Sequence, residues 1–315
     1  MKTNFNILVL GASGMLGSML VDFLSKHSDF CLTASVRDEV LLESFRERYP
    51  TVRWVRFDYN ASDGRADFRI FVGQQWIINA IGVTKPLIAE NDPAGIEAAI
   101  AVNSLLPHEA GRQAARTGAR VLQIATDCVY SGLRGAYQES DVHDPRDVYG
   151  KTKSLGETWQ PNVHHLRCSI IGPEPKDFKF LVEWFRRQPP GATVNGFVNH
   201  NWNGVSTLHF ARICKGVIEH GLALPHVQHL VPCEPMTKAA MLHAFAEAFG
   251  RRDIRITDVE ANCVVDRTLS TINPELNERL WRAAGYSRLP SVAEIIFELA
   301  GYDYSAGPGG EGALT

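Results

Sequence analysis

The apolar residues of this chain fall in short unbroken runs more than in strict alternation. Phe5-Asn6-Ile7-Leu8-Val9-Leu10, Phe30 to Val36, Val52 to Phe57, Trp76 to Gly82, Arg120 to Ala125 and Val163 to Ile171 are six such runs. Runs of this length, bounded by turn residues, read as strands of a parallel sheet covered on both faces. Stretches with helical spacing lie between them. One follows Gly17 as far as Lys26, a long one spans about Asp92 to Thr117 and contains Pro107, and one holds Tyr149. Strands alternating with helices predict an α/β fold with a doubly wound parallel sheet.

Beyond Gly172-Pro173 this rhythm weakens. Helices are expected over 178–187, 207–220 and 238–249, and short strands over 227–231 and 254–259. Asn273 and Pro274 supply an N-cap and first helical residue. Ser291 and Glu294 form a capping box for the last helix. Asn199-His200-Asn201-Trp202-Asn203-Gly204 is polar and aromatic and reads as a binding loop.

The first run ends in Gly11-Ala12-Ser13-Gly14-Met15-Leu16-Gly17, followed by a helix. Strand, glycine-rich turn and helix is the context in which such glycines hold a dinucleotide. Gly11 permits the tight turn, Gly14 lets a pyrophosphate approach, and Gly17 lets the helix pack on the strand. Gly11, Ser13, Gly14, Met15, Leu16 and Gly17 are therefore candidate cofactor contacts, with the helix N-terminus as anion site. At the end of the second strand an acid suits a free ribose hydroxyl and an arginine suits a 2′-phosphate. Arg37 stands there, with Ser35 near it and Asp38 one place later, so NADPH is expected over NADH. Asp58 after the third strand either accepts from the adenine or caps a turn. The small residues Ala80, Ile81 and Gly82 close the fourth strand beside the cofactor.

These features predict a Rossmann-type domain over 1–172, with 205–232 returning to it. A smaller C-terminal α+β substrate lobe takes 173–204 and 233–303, and 304–315 is a Gly-rich flexible tail. Thr126 and Asp127 leave the fifth strand at the edge where ligands of open α/β sheets bind. Thr126 either donates to a substrate carbonyl or satisfies local backbone. Tyr149 and Lys153 stand one helical turn apart on one face. An ammonium near a phenol lowers the phenol's pKa and readies it for proton transfer.

The chain has 315 residues, 45% hydrophobic and 21% charged, with a net charge of −3. Nothing here favours nucleic acid. No run spans a bilayer and no signal peptide precedes the first strand, so a cytoplasmic protein is expected. The six cysteines are scattered and read as buried thiols, with no metal site or disulfide framework. The histidines lack ligand spacing and read as ordinary core or surface residues.

The glycine turn, Thr126-Asp127-Cys128-Val129-Tyr130-Ser131-Gly132, Tyr137-Gln138-Glu139-Ser140-Asp141 before Pro145, and Tyr149-Gly150-Lys151-Thr152-Lys153 occur in a fixed order. Together they resemble the extended short-chain dehydrogenase/reductases, and within them the dTDP-4-dehydrorhamnose reductases and related sugar-nucleotide reductases. The resemblance implies NADPH-dependent reduction of the 4-keto group of a nucleoside-diphosphate deoxysugar, for surface polysaccharide or deoxysugar synthesis, in a homodimer. It makes Tyr149 the acid and Lys153 its partner and ribose contact. Thr126 becomes the carbonyl ligand, and Asn103 the support of a water chain to the lysine. Asp127, Lys85, Trp202 and Asn203 are candidate substrate contacts, because 83–87 and 199–204 depart from the reductases where substrate should sit. Cys128 takes the place of the glutamate usual in 4,6-dehydratases, which favours reduction. Two other readings compete: an NADP-binding regulatory subunit like that of methionine adenosyltransferase, and a sugar-nucleotide epimerase or dehydratase.

Overall fold

The computed structural model describes residues 4–59 and 66–304. The expected flexible tail, past Tyr304, lies outside them. The N-terminal half alternates strongly. In order come β1 (Phe5–Leu10), α1 (Met15–Ser25), β2 (Phe30–Val36), α2 (Glu39–Arg48), β3 (Arg53–Arg56), β4 (Trp76–Asn79), α3 (Pro93–Ile100), α4 (Leu106–Thr117), β5 (Arg120–Thr126), α5 (Val148–Leu155) and β6 (Val163–Cys168). The remainder holds β7 (Ile170–Ile171), α6 (Leu181–Arg186), β8 (Thr193–Phe197), β9 (Asn201–Trp202), β10 (Val205–Ser206), α7 (Thr207–Glu219), β11 (Val227–His229), β12 (Met236–Thr237), α8 (Lys238–Ala248), β13 (Arg255–Val259), α9 (Pro274–Ala283) and α10 (Val292–Ala300).

The main sheet is parallel throughout, in the order β11-β6-β5-β4-β1-β2-β3. Strand order reverses between β1 and β4, the switch point where open α/β sheets take ligands. Both faces are covered, as the unbroken apolar runs demand. Ile7 and Val9 of β1 pack with Met19 and Leu20 of α1 and Phe210 and Ile213 of α7. Leu8 and Leu10, pointing the other way, pack with Leu106, Ala110 and Ala114 of α4. Outside the main sheet, β13 pairs with β8 and β12 with β9. Among the described residues no helix is long and apolar enough to cross a membrane.

Three boundaries depart from the sequence reading. The sixth run splits at Ser169. Ile170–Ile171 leaves the sheet to pair with Val205–Ser206, because Val205 N–H donates to the Ser169 carbonyl at 2.9 Å. The long helix is broken ahead of Pro107 by a π turn over Ala101–Leu105, a wide turn of the kind found at functional sites. The helix expected from Phe178 starts at Leu181. Asp177 and Phe178 hold φ of 67° and 50°, and Glu174 caps the N–H groups of Lys179 and Phe180 at 3.1 and 2.6 Å. The capping box at Ser291 and Glu294 is present. Pro274 opens α9 as expected, although the Asn273 side chain makes no cap bond. All six cysteines are free, but only Cys168 and Cys214 are buried and Cys31, Cys233 and Cys263 are exposed.

Candidate active site

The site is assembled at the C-terminal edge of the sheet. The β1–α1 turn forms one wall. Gly11 sits at φ +80°, which side chains disfavour. A Cβ at Gly17 would lie 2.1 Å from the Gly11 carbonyl oxygen, so α1 closes on the turn only with glycine there. Gly14 differs: a Cβ there would meet only that same oxygen, at 3.5 Å. The protein's own packing thus leaves space at Gly14, the N-cap of α1, whose N-terminus points outward without a side-chain cap. The turn is anchored to β2 by Ala12 N–H on the Ser35 carbonyl at 2.9 Å and Gly11 N–H on the Ser35 hydroxyl at 3.3 Å. Ser35 is therefore buried as the brace of the turn.

Arg37 is exposed just past β2 and makes no ion pair among the described residues. Its rival Asp38 is occupied: it is the N-cap of α2 and accepts from Val40 N–H at 2.9 Å. Asp58 lies 3.8 Å from Arg56. Ala80, Ile81 and Gly82 leave β4 across from Gly11, whose Cβ would meet Ile81 Cγ1 at 2.9 Å. An open turn, an uncapped helix N-terminus and an arginine without an ion pair among the described residues fit a nicotinamide dinucleotide.

Thr126, Asp127, Tyr149 and Lys153 come together at the ends of β5 and α5. Asp147 caps α5, accepting from Gly150 N–H at 2.8 Å. Gly150 is pressed against the Cys128 carbonyl, where a Cβ would sit at 2.2 Å, and this holds α5 on the Thr126–Val129 turn. The Lys153 ammonium is buried and donates to the Ile124 carbonyl at 2.8 Å; burial pushes its pKa down to about 8. The Tyr149 phenol is pushed up, first by burial and then by the neighbouring Cys128, while Thr126 pulls the other way. The expected lowering by Lys153 is not among the main influences on the phenol: the ammonium is spent on the Ile124 carbonyl, and burial sets the direction. The phenol is thus held protonated, the form a general acid requires.

Thr126 is also engaged: its hydroxyl donates to Asp127 at 3.2 Å and accepts from Cys128 N–H at 3.1 Å. To reach a carbonyl, the hydrogen must leave Asp127. Burial raises the Asp127 carboxyl, opposed by Arg267 and Lys238, and pushes the Cys128 thiol up to about 12. Asn103, carried by the π turn, faces the β4 exit. Its amide accepts from Val83 N–H at 2.9 Å and donates to Val83 O at 2.8 Å and Thr152 Oγ1 at 3.1 Å. It clamps the exit loop to α5 without touching Lys153 through its side chain.

The other sequence candidates sit differently from expectation. Lys85 is paired with Asp147 at 2.8 Å. Trp202 is buried with its indole N–H on Ser169 at 2.7 Å, and Asn203 brackets the backbone of Leu269 at 2.7 and 2.9 Å. The 199–204 loop is thus largely a clasp between strands, since Asn199 and Asn201 also bond within the protein. Sequence reading did not single out Lys238 and Arg267, which act on Asp127; neither belongs to a recognisable motif. Two of the histidines taken as ordinary, His143 and His229, are in a buried network around Arg167. No group of three or more metal-ligating side chains exists among the described residues.

A seven-stranded Rossmann sheet carrying a glycine turn, an edge threonine and a Tyr-x-x-x-Lys helix defines an extended short-chain dehydrogenase/reductase type of oxidoreductase. Residues 5–184 match the family described as RmlD substrate binding domain. The chain belongs to that family, the dTDP-4-dehydrorhamnose reductase-like branch. Methionine adenosyltransferase 2 subunit beta of Bos taurus is 28% identical over 261 residues, 78% of this chain and 72% of the relative. The dTDP-4-dehydrorhamnose reductase of Streptomyces griseus is 32% identical over 162 residues, 48% of this chain and 43% of the relative. The crystal structure of dTDP-4-dehydrorhamnose reductase from Bacillus anthracis in complex with NADP shares the fold. It shows 16% identity and a TM-score of 0.67, covering 94% of this chain and 98% of that one.

Proposed function

We propose that this protein is an NADPH-dependent reductase of the 4-keto group of a nucleotide-activated deoxysugar. The observation that carries the reading is Tyr149, kept protonated beside Thr126 at the switch-point edge of the sheet. A bound dinucleotide would supply the hydride to the carbonyl carbon. Tyr149 gives its proton to the oxygen as charge develops there, and Thr126, swinging from Asp127, steadies that oxygen. Lys153, fixed on Ile124 and with a pKa near 8, returns positive charge to the tyrosine as the phenolate forms. Gly14 and the α1 N-terminus hold the pyrophosphate, and Arg37 takes the 2′-phosphate. Glu90 accepts from Val148 N–H at 3.2 Å and completes the start of the catalytic helix.

Of the two competing readings, one has support. Similarity to the methionine adenosyltransferase subunit over most of the chain favours a regulatory subunit that binds the dinucleotide without turnover. A dehydratase is disfavoured, since Cys128 is a neutral thiol where an eliminating acid would be needed. The test is NADPH oxidation across 4-keto sugars on dTDP, UDP, GDP and CDP, beside titrations of NADPH and NADH. One keto sugar should be reduced, and NADPH should bind about tenfold more tightly than NADH, a margin typical of one lost charge-assisted contact. Arg37→Ala should erase that margin. Tight NADPH binding with no keto sugar reduced would move the assignment to the regulatory subunit.

A further inference from the structure

Two cations of the C-terminal lobe converge on the substrate side of Thr126 and Tyr149. Lys238 is the first residue of α8, and its ammonium lies 5.4 Å from the centre of the Trp202 ring. Arg267 donates through Nε to the Tyr130 carbonyl at 3.0 Å, with its stem packed over Gly132. Both interact with Asp127, the residue next to Thr126. Neither has a carboxylate within ion-pair distance among the described residues. The nearby acids are otherwise engaged. Asp147 is paired with Lys85 and caps α5, and Asp266 accepts from Thr268 N–H and Oγ1 and from Asn201.

This arrangement is costly as it stands. A half-buried ammonium loses hydration, and at a helix N-terminus it faces the positive end of the dipole. The backbone does not explain it, since α8 is already capped by Thr237 on Ala240 N–H at 3.2 Å. Lys85 has Asp147 as its partner, whereas Lys238 and Arg267 share Asp127 between them. An anion placed between Lys238 and Arg267 would complete their pairing and use the guanidinium's free edge, which is shaped for a carboxylate. Asp127 adjoins the residue that faces the carbonyl, so this anion belongs on the sugar ring and not on the diphosphate farther along the ligand.

We propose that Lys238 and Arg267 form a specificity site for a carboxylate carried by the sugar, so that the substrate is an acidic, uronate-type sugar nucleotide. This rests on the sugar-nucleotide reading above and changes its substrate class, since a uronate carries a carboxylate at the carbon where a 6-deoxysugar carries a methyl group. Binding tests it without requiring turnover. NADPH-loaded protein is titrated calorimetrically with matched pairs, UDP-glucuronate against UDP-glucose and dTDP-glucuronate against dTDP-glucose. The acid of at least one pair should bind about tenfold or more tightly than its neutral partner, the effect of one charge-assisted contact. Lys238→Met and Arg267→Met should each remove most of that preference while leaving the neutral sugar's affinity within about twofold. A Lys238→Arg variant should keep it, which a packing role alone would not predict. Equal binding of acid and neutral sugars, preference surviving both substitutions, or no binding of any of the four overturns the proposal. Equal weakening of both members of a pair also overturns it, since the cations would then serve the diphosphate. A protein that selects the acid yet reduces no keto sugar leaves this inference standing and removes only the reductase reading.

Discussion

The two sides of α5 treat an arginine in opposite ways. Behind the helix, Arg167 on β6 is fully buried and saturated. It donates to both Glu157 oxygens at 3.1 and 2.6 Å, to the Tyr130 hydroxyl at 2.6 Å, and to Nε2 of His229 and His143 at 2.7 and 2.9 Å. Both imidazoles accept through Nε2, so their Nδ1 hydrogens go to Ser270 O and Ser154 Oγ at 2.7 and 2.8 Å. Burial and the adjacent guanidinium keep them neutral, with His229 pushed down to about 4. In front of the helix, Arg267 makes one hydrogen bond and no ion pair among the described residues. A complete network is what rigidity needs, because half-satisfied buried polar groups cost more than they return. Open donors beside the proposed proton donor, Tyr149, are what recognition needs. The rear side therefore holds α5 in place, and the front side keeps donors open for the proposed ligand.

The largest effect expected from this contrast is at the front. Tyr149→Phe removes the proton donor and leaves the ring. Turnover should fall by ~10²–10⁴-fold, the usual worth of general acid catalysis. The melting temperature and the NADPH affinity should stay close to wild type. Steady-state rates beside thermal unfolding read both. Near-normal turnover would remove Tyr149 from the chemistry.

Next comes the rear. Glu157→Gln leaves the Arg167 charge buried without a counter-charge, which typically costs about 3–5 kcal/mol. Stability should drop while the rate of the remaining folded enzyme changes little, the inverse of the tyrosine variant. The pH dependence carries the same sign. Arg167 holds the Glu157 carboxyl below its ordinary value. Its contribution is therefore present above the unfolded carboxyl pKa, about 4.3, and is lost as pH falls through the lower folded value. Wild type should lose stability more steeply below about pH 4 than Glu157→Gln does. Parallel acid-unfolding curves would show that the pair is not what holds the helix.

The sequence made these two sides unequally legible. The glycine turn and the helix that carries Tyr149 and Lys153 are local patterns, and both elements form where expected. The rear network joins residues scattered from Tyr130 to Ser270, and no spacing signals such a contact. Lys238 and Arg267 stand alone in the sequence, and only the fold of the small lobe sets them by Asp127. Trp202 and Asn203 are a different case. Polar and aromatic composition marks a binding loop and an internal clasp equally well, and the hydrogen bonds to Ser169 and Leu269 add a clasp that composition does not signal. The phenol misled for a physical reason: proximity along a helix fixes the neighbour, but burial fixes the sign of the shift.

The smallest effect concerns Lys85, which lies at the front yet is already paired. Its side chain is 60% exposed, and its partner Asp147 is 11% exposed and tied to α5 by Gly150 N–H. Asp147 is buried enough to resist ionisation, and the Lys85 bond is the first of the contacts that nevertheless hold its carboxyl low. An ion pair with one end in water is worth ~0.2–1 kcal/mol and is screened by salt. Lys85→Met should therefore lower stability only slightly, and less at high salt than at low salt. If Lys85 serves only Asp147, the KM for the sugar nucleotide should stay within about twofold of wild type, far from the ~10-fold or greater change of a lost charge-assisted ligand contact. Measuring KM and melting temperature at two salt concentrations separates these outcomes. A large rise in KM with unchanged stability would mean that Lys85 leaves Asp147 for the ligand, and would add a third cation to the pair formed by Lys238 and Arg267.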